Sequence, residues 1–358
     1  MYFKNPSCIR FRNLTFGLYF IFALALTSCD DSNNNGPAPE GPASFEYIIA
    51  DFITDTSVDF TTDLAGDVST ITQLGFCWAE SSAPSRDDNV IYYEEVIPGI
   101  ISLRSEGLQA DKTYYVRAFY STEEQDFYSD EKVFQTTKPV EAHDGETYGT
   151  VKIGDQLWMR ENLRTVTYNN GDSITSGKGL GNYSNFNDPR FYFYYDDDTT
   201  QLPEYGNLYT WYVITDTRGV CPPDFRIPDI IDFDKLILHL DPLATPFNNL
   251  SPGNNELSAI AGGMMRATGN LTDETGLWEH PNNGANNVTQ MSLLPSGYRD
   301  PWGSFHDLGF NAALWSFTEE DSLRGIMFYT HFLNAGFLTN NFSKKTGYAV
   351  RCMKEADL

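Results

Sequence analysis

The sequence is poor in the residues that common catalytic and metal sites require. Its 358 residues include 5 histidines and 5 cysteines. The histidines occur without a His-x-x-x-His pair and the cysteines without a Cys-x-x-Cys pair, so the usual zinc patterns are missing. The Gly-x-Ser-x-Gly elbow of serine hydrolases is also missing. We therefore predict that the protein is not an enzyme.

Basic residues are scarce. The chain carries 24 lysines and arginines against 49 aspartates and glutamates, a formal net charge of -25. A surface this negative repels phosphate backbones and anionic lipid headgroups, so we exclude nucleic acid as a partner. The hydrophobic fraction of 41% nevertheless allows a sizeable core, and the length allows two domains.

Long apolar runs are also lacking, except at the N-terminus. Residues 14–26 (LTFGLYFIFALAL) follow a basic segment, and as a helix they would span about 20 Å, well short of the ~30 Å membrane core. We therefore interpret residues 1–28 as a signal peptide. The sequence Leu-Thr-Ser-Cys that ends it resembles the lipobox of bacterial lipoproteins, which implies that Cys29 is lipidated and becomes the mature N-terminus.

Residues 29–43 are rich in Asn, Gly, Pro and Asp, which predicts a flexible tether. The two aspartates directly after Cys29 are similar to the acidic starts of surface-exported lipoproteins in Bacteroidetes-type bacteria. This resemblance implies an outer-membrane protein that is lipid-anchored and faces the cell exterior. The membrane is then a partner through the lipid alone.

Processing would leave three cysteines in an oxidising compartment. Cys221 and Cys352 share the C-terminal region, and we predict that they form a disulfide. Cys77 lies in an alternating stretch and reads as a buried strand residue. An oxidoreductase with a free thiol at Cys221 or Cys352 stays open as an alternative.

Residues 44–138 contain seven short alternating segments separated by turn residues, which predicts an all-β sandwich. The stretch Leu108–Phe119 and the final strand Val133–Thr137 resemble the fibronectin type III pattern. In that pattern a tyrosine, here Tyr114, closes the corner before the penultimate strand. The resemblance implies a spacer or interaction module.

Residues 143–354 differ in composition, with many Gly, Asn, Tyr and Trp and one predicted helix at Asp232–Leu240. Four stretches resemble the FISUMP family, the major-paralogous domain of bacterial surface lipoproteins. They are Asp144–Leu163, Gly206–Trp211 with Cys221–Pro228, Ser292–Arg299, and Trp315–Glu319 with Gly347–Cys352.

The segment Arg226-Ile-Pro228 before the helix is also similar to the C-type lectin-like and formylglycine-generating-enzyme folds. This resemblance implies an α+β, loop-rich domain. We expect Arg226 to form a structural ion pair with Glu319 or Glu161. Two positions depart from the family pattern, since Phe225 stands where tryptophan is common and Phe317 where serine is usual.

The best candidates for ligand contacts are aromatic residues in loops rich in Gly, Asn and Pro: Trp278, Tyr298 and Trp302. Flat apolar rings beside amides and carboxylates are the chemistry of sugar recognition. We therefore predict non-catalytic glycan binding. The alternative is a structural or adhesive protein-interaction component of the cell envelope.

No cofactor is predicted, but calcium stays open. Asp196, Asp198 and Glu320 lie in acidic runs that supply hard oxygen donors. The spacing of an EF-hand is absent, as is the Glu-Pro-Asn or Gln-Pro-Asp tripeptide of calcium-dependent lectins.

Overall fold

A computed structural model of the chain describes residues 42–247, 250 and 253–356. The predicted signal peptide, the predicted lipidation site Cys29 and nearly all of the predicted tether lie outside these ranges. Within them, no helix is long and apolar enough to cross a membrane. The chain is 39% strand and 10% helix, which confirms the prediction of a β-rich protein.

The N-terminal part folds into two antiparallel sheets, with strand orders β1-β2-β5 and β4-β3-β6-β7, and β8 also pairs with β6. Seven of these strands overlap the seven predicted segments, whereas β7 was not predicted. The strands are β1 (Ala43–Asp51), β2 (Ser57–Gly66), β3 (Gln73–Ala79), β4 (Asn89–Tyr92), β5 (Gly99–Glu106), β6 (Thr113–Ser121), β7 (Asp126–Tyr128) and β8 (Lys132–Gln135).

The two sheets enclose one apolar core because alternate side chains of each strand face inward. Phe60 of β2 has its ring centroid 5.5 Å from those of both Phe76 and Phe134 on the opposite sheet. Tyr114 stacks on Phe134, and its hydroxyl accepts a hydrogen bond of 3.1 Å from the backbone amide of Gln109. This bond fixes the turn that leads into β6.

The C-terminal part contains many short strands and a few helices. Its strands are β9 (Val140–Glu141), β10 (Thr147–Tyr148), β11 (Thr150–Ile153), β12 (Gln156–Met159), β13 (Thr175–Ser176), β14 (Phe191–Phe193), β15 (Leu208–Thr210), β16 (Asn255–Ser258), β17 (Ser296–Arg299), β18 (Phe305–Leu308), β19 (Asn311–Glu319), β20 (Arg324–His331), β21 (Phe337–Ser343), β22 (Gly347–Tyr348) and β23 (Met353–Glu355). The helices are α1 (Leu202–Tyr205), α2 (Trp211–Ile214), α3 (Ile230–Leu240) and α4 (Ala261–Met265), with 3-10 turns at Tyr195–Asp197 and Thr199–Gln201.

These strands form sheets with the orders β10-β9, β11-β12-β23, β13-β14-β15-β22-β17-β18 and β16-β21-β20-β19. The last is an antiparallel sheet of four strands. Helix α3 packs against one face of it, where the Phe233 and Phe328 rings stack with centroids 4.0 Å apart.

Helix α3 confirms the helix predicted from residue 232, with a start two residues earlier. Asp229 is the N-cap, and its carboxylate accepts hydrogen bonds from the amides of Ile231 and Asp232. The Asp232 carboxylate in turn accepts from the Asp229 amide and pairs with Arg226. The expected partners of Arg226, Glu319 or Glu161, were therefore wrong. Asp232 is closer because the capping box turns its carboxylate back toward the residues before the helix.

The predicted disulfide between Cys221 and Cys352 is present, with Cα atoms 5.8 Å apart and 131 residues between the two positions. A closed loop of this length stabilises a fold by about 4–5 kcal/mol through the entropy of the unfolded chain. Cys77 is a free, buried thiol on β3, as predicted.

The two domains are joined by an ordered junction in addition to the connecting residues 138–142. The turn after β1 inserts Phe52 into the core of the C-terminal domain, with a left-handed φ of 48°. Ile53 and Lys152 exchange backbone hydrogen bonds of 3.1 and 2.8 Å. The Asp51 carboxylate accepts a bond from the Gly154 amide and lies 2.6 Å from Nε2 of His239 at the end of α3.

A buried glutamine completes the junction. The amide oxygen of Gln290 accepts a hydrogen bond from the Ser57 hydroxyl, and its amide nitrogen donates to the Phe52 carbonyl, both at 2.8 Å. Arg104, which pairs with Asp59, also donates to the Val288 carbonyl. The amide oxygen and the amide nitrogen of Gln290 thus both bind the N-terminal domain, which fixes the two domains in one relative orientation.

Three arginines are fully buried in the C-terminal domain: Arg266, Arg299 and Arg351. In the described part of the chain, none of them forms an ion pair. Arg351 instead donates to the carbonyls of Met159, Met291 and Ser292 and to the Asn162 amide oxygen. Burial lowers the pKa of Arg351 to about 9, so the guanidinium stays charged at neutral pH. These arginines hold together loops that lack regular hydrogen bonding.

Candidate functional site

The four-stranded sheet has two different faces because side chains alternate along each strand. Cross-strand partners Ala313–Tyr329 and Met327–Asn340 show which residues share a face. The face toward α3 is mainly apolar, with Ala312, Leu314, Ile326, Phe328 and Phe337. It also carries the buried Thr330 and Thr339, the cross-strand partners of Ala312 and Phe328. The opposite face carries polar and aromatic groups at its open end: Asn311, Ala313, Met327, Tyr329, Asn340 and Phe342.

This second face and the neighbouring six-stranded sheet border a cleft of about 170 Å³. We call it the tyrosine cleft. Its walls are the rings of Tyr298, Tyr329, Phe342 and Tyr348, and its polar groups are Asp307, Asn311 and Asn340. The volume is below the ~300–1,000 Å³ of sites for drug-sized ligands. The cleft therefore suits a ring-sized group, such as the end of a longer molecule.

Two tyrosine hydroxyls at the cleft have no hydrogen-bond partner among the described residues, those of Tyr298 and Tyr348. The Tyr348 side chain is only 1% exposed, but its hydroxyl is not one of the fully buried polar atoms without a partner, so it is accessible from the cleft. Burial raises the pKa of Tyr298 and raises that of Tyr348 well above its ordinary value, so both hydroxyls keep their protons at neutral pH. Each can donate to a ligand and accept from it.

The aromatic walls are held by ring contacts. Tyr298 lies 5.4 Å from Tyr348 and stacks at 4.9 Å on His306, while Phe342 lies 5.7 Å from Tyr348. The Tyr329 hydroxyl donates to the side-chain oxygen of Asn254 at 2.7 Å. The Asn311 amide donates to the Asp307 carboxylate at 2.7 Å. These contacts hold the walls in place without a ligand.

The three aromatic residues predicted to bind a ligand have different environments. Tyr298 is a wall of the tyrosine cleft. Trp302 is 67% exposed at the turn between β17 and β18, the hairpin that also carries Tyr298 and Asp307. Trp278 is 0% exposed, and its indole nitrogen donates to the Leu293 carbonyl. Its burial means that the ring cannot contact a ligand from solvent, so the inclusion of Trp278 was wrong.

The calcium candidates do not converge. Asp198 accepts hydrogen bonds from the amide and hydroxyl of Thr200, which lower its pKa. Asp196 lies in the 3-10 turn after β14, and Glu320 lies in the turn after β19. Across the described ranges, no three or more His, Cys, Asp or Glu side chains form a group that could hold a metal ion.

A second cleft, of about 410 Å³, lies beside the Cys221–Cys352 bond, and we call it the disulfide cleft. Both departures from the family pattern line it, Phe225 and Phe317, and Phe317 is 51% exposed. Its charged groups have partners within the protein: Asp216 binds Arg190 and Arg218, Arg226 binds Asp232, and Asp229 caps α3. This cleft is larger but offers fewer unpaired polar groups.

Sequence reasoning missed most of the tyrosine cleft. Tyr329, Asn340 and Phe342 lie on strands that the sequence marks by alternation, RGIMFYTH and FLTNNFS. Extending the period-2 pattern along both strands would have placed these three residues on one face. Asp307 and Asn311 had no such signal, because their position depends on how β18 and β19 follow each other.

Comparison with known proteins gives a family match and several distant solved structures. The chain matches the Fibrobacter succinogenes major domain over residues 151–354. No curated protein matches it. Among solved structures, the sensor domain of the anti-sigma factor RsgI4 in Pseudobacteroides cellulosolvens is 20% identical, covering 27% of this chain and 97% of its own, with a TM-score of 0.22.

The family match covers more than half of the sequence and coincides with the C-terminal domain described above. It includes β11 through β23, helix α3, the disulfide and both clefts. It also agrees with the FISUMP resemblance seen in the sequence motifs. The chain therefore belongs to the Fibrobacter succinogenes major domain family.

Proposed function

We propose that this protein is a surface lipoprotein that binds glycans without transforming them. Cys29 would carry the lipid at the outer membrane, and residues 29–43 would lift the folded part toward the cell exterior. The lipobox-like sequence and the acidic start support this placement. The tyrosine cleft is the proposed binding site.

We further propose that the N-terminal domain is a fibronectin type III-like spacer. Its sheet orders and the bond between Tyr114 and the Gln109 amide support this assignment. For the C-terminal domain we propose a C-type lectin-like fold, supported by α3 packed on a small antiparallel sheet. In this arrangement the spacer presents the clefts away from the membrane.

The observation that carries the glycan proposal is the pair of unpartnered hydroxyls in an aromatic cleft. Tyr298 and Tyr348 offer donors and acceptors, Asn340 adds an amide, and the rings provide flat faces for stacking. Sugars have complementary groups: apolar C–H faces that stack on aromatic rings, and hydroxyls around the ring that form hydrogen bonds. The disulfide between Cys221 and Cys352 leaves neither thiol free for redox chemistry, which supports a non-catalytic role.

The proposal is tested with a glycan array, followed by calorimetric titration of the best ligand. We expect Tyr298→Ala to weaken binding about tenfold or more, because it removes a stacking face and a hydroxyl. Tyr298→Phe keeps the ring and should lose less. Phe317→Ala, an aromatic truncation in the disulfide cleft, is the matched control. Equal affinities for Tyr298→Ala and Phe317→Ala would contradict the assignment of the site.

A second candidate function is protein interaction, and the disulfide cleft favours it. Phe317 offers an exposed apolar ring and Phe225 a half-buried one, and apolar anchors in pockets dominate protein interfaces. Cross-linking on intact cells should then capture envelope proteins with the natural protein and lose them with Phe317→Ala. Loss with Tyr298→Ala instead would place the interaction at the tyrosine cleft.

A further inference from the structure

One carboxylate at the tyrosine cleft has no cationic partner. Asp307 lies on β18 in the left-handed region, with a φ of 61°, and its side chain is exposed. Its contact within the described ranges is the Asn311 amide, at 2.7 Å. Neither lysine nor arginine lines the cleft. The charge of Asp307 is therefore not neutralised by an ion pair.

The groups around Asp307 do not supply a positive charge either. Asp300 and His306 contact each other at 2.8 Å, so the carboxylate of Asp300 offsets any charge on that histidine. His331 faces Asn311 across the β19–β20 ladder, and burial lowers its pKa, so it is neutral at neutral pH. The protein as a whole carries a formal charge of -25. The cleft is therefore a region of negative potential.

We propose that Asp307 determines the ligand class of the tyrosine cleft, admitting neutral and amino sugars and rejecting uronic acids and sulfated sugars. This inference rests on the proposed glycan binding. An anionic ligand group in the cleft would lie close to the unneutralised Asp307 carboxylate, and the two like charges would repel each other. A hydroxyl or ammonium group could donate a hydrogen bond to the same carboxylate.

The test compares immobilised glycans with the same stem and three different terminal sugars: a hexose, the matching hexosamine and the matching hexuronate. For the full-length protein we expect binding to the hexose or hexosamine and at least tenfold weaker binding to the hexuronate. High salt should reduce this difference, because it screens partly exposed charges. The comparison needs no variant and is therefore independent of folding.

Asp307→Asn then tests the residue. Asparagine tolerates left-handed φ and can still accept the bond from Asn311, so the fold should be kept. We expect the variant to bind the hexuronate within about threefold of the hexose. Asp130→Asn, an exposed carboxylate on the N-terminal domain, removes the same charge far from the cleft and should keep the wild-type preference.

The outcomes separate the two proposals. If the natural protein binds none of the three sugars, the proposed glycan function fails. If it binds the hexuronate as well as the hexose, glycan binding stands and the role of Asp307 fails. The role also fails if Asp307→Asn and Asp130→Asn change the preference equally, since the effect would then come from the total charge.

Discussion

At the scale of single residues, the C-terminal domain depends on buried arginines that bind carbonyl oxygens. Arg351 reaches four oxygen atoms in two separate segments, residues 159–162 and 291–292. A guanidinium has five N–H donors spread over a plane, so it can donate to oxygens of several loops at once. A lysine ammonium has three donors on a single nitrogen and cannot reach all of these oxygens. Removing Arg351 would leave buried carbonyls without donors.

We therefore expect Arg351→Lys to destabilise the protein by about 2–4 kcal/mol, since each buried acceptor left unpaired costs about 1–3 kcal/mol. Arg324→Lys is the matched control because Arg324 pairs with Asp321 on the surface, where ion pairs contribute little. Urea denaturation of both variants measures the difference. Equal midpoints for the two variants would contradict the role given to Arg351.

The thiols give a second prediction at this scale. Burial raises the pKa of Cys77 to about 12, so its thiolate is scarce at neutral pH and the side chain is shielded from reagents. Alkylation of the chain from residue 42 onward should add no group in the native state. It should add one group after denaturation and three after denaturation with reduction, as measured by intact mass. A native thiol at Cys221 or Cys352 would instead revive the oxidoreductase alternative.

At the scale of secondary-structure elements, regular patterns were predictable and irregular segments were not. The helix around Phe233 and the strands of the sandwich follow from periodicity, because their buried faces repeat every 3.6 or 2 residues. Trp278 shows the limit. Its loop is rich in Gly and Asn, which suggests exposure. The loop instead folds back over the core, and the Trp278 indole donates a hydrogen bond to the Leu293 carbonyl. No local sequence pattern predicts that the loop folds back.

The contact between the turn after β1 and the end of α3 responds to pH. The hydrogen bond with Asp51 raises the pKa of His239 above its ordinary value of 6.5, opposed by burial, and the charges of Asp51 and Asp155 add to the rise. A raised pKa in the folded state means that the stabilisation is complete below pH 6.5 and is lost as pH rises through the folded value. The junction should therefore be weaker in alkaline solution.

We expect the melting temperature of the natural protein to fall between pH 6 and pH 9 more steeply than that of Asp51→Asn. The variant removes the main charge that favours the protonated imidazole, so most of the linkage is lost. Asp130→Asn, which lies away from the junction, should keep the natural slope. Parallel pH profiles for all three proteins would show that the pair contributes nothing measurable.

At the scale of the whole molecule, the two domains share a buried junction, so they should unfold together. Phe52 is 6% exposed and belongs to the core of the C-terminal domain although it follows a strand of the N-terminal one. Truncation of a buried phenylalanine costs about 3–5 kcal/mol. Here the cost falls on the contact between domains.

Calorimetry of the natural protein should show one unfolding transition, and Phe52→Ala should split it into two. Phe76→Ala, which leaves a cavity inside the sandwich alone, should lower the temperature of unfolding without producing a separate second peak of this kind. Two transitions in the natural protein would mean that the junction does not couple the domains.

The junction could not have been predicted from the sequence. Residues 138–142 connect the two domains, and within them Val140–Glu141 forms β9. Phe52, Gln290 and His239 are far apart in sequence, and each is an ordinary residue in its own segment. Only the packing of one finished domain on the other brings them together.

The insertion of Phe52 also has an evolutionary consequence. A gene fusion that placed a different domain ahead of this family domain would leave the pocket of Phe52 empty, between α3 and the loop at Gln290. Apolar side chains and the unpartnered side-chain amide of Gln290 would line that pocket. A replacement domain would need its own aromatic residue at the matching position. We therefore expect the two domains to be inherited together, with an aromatic residue after β1 wherever both occur.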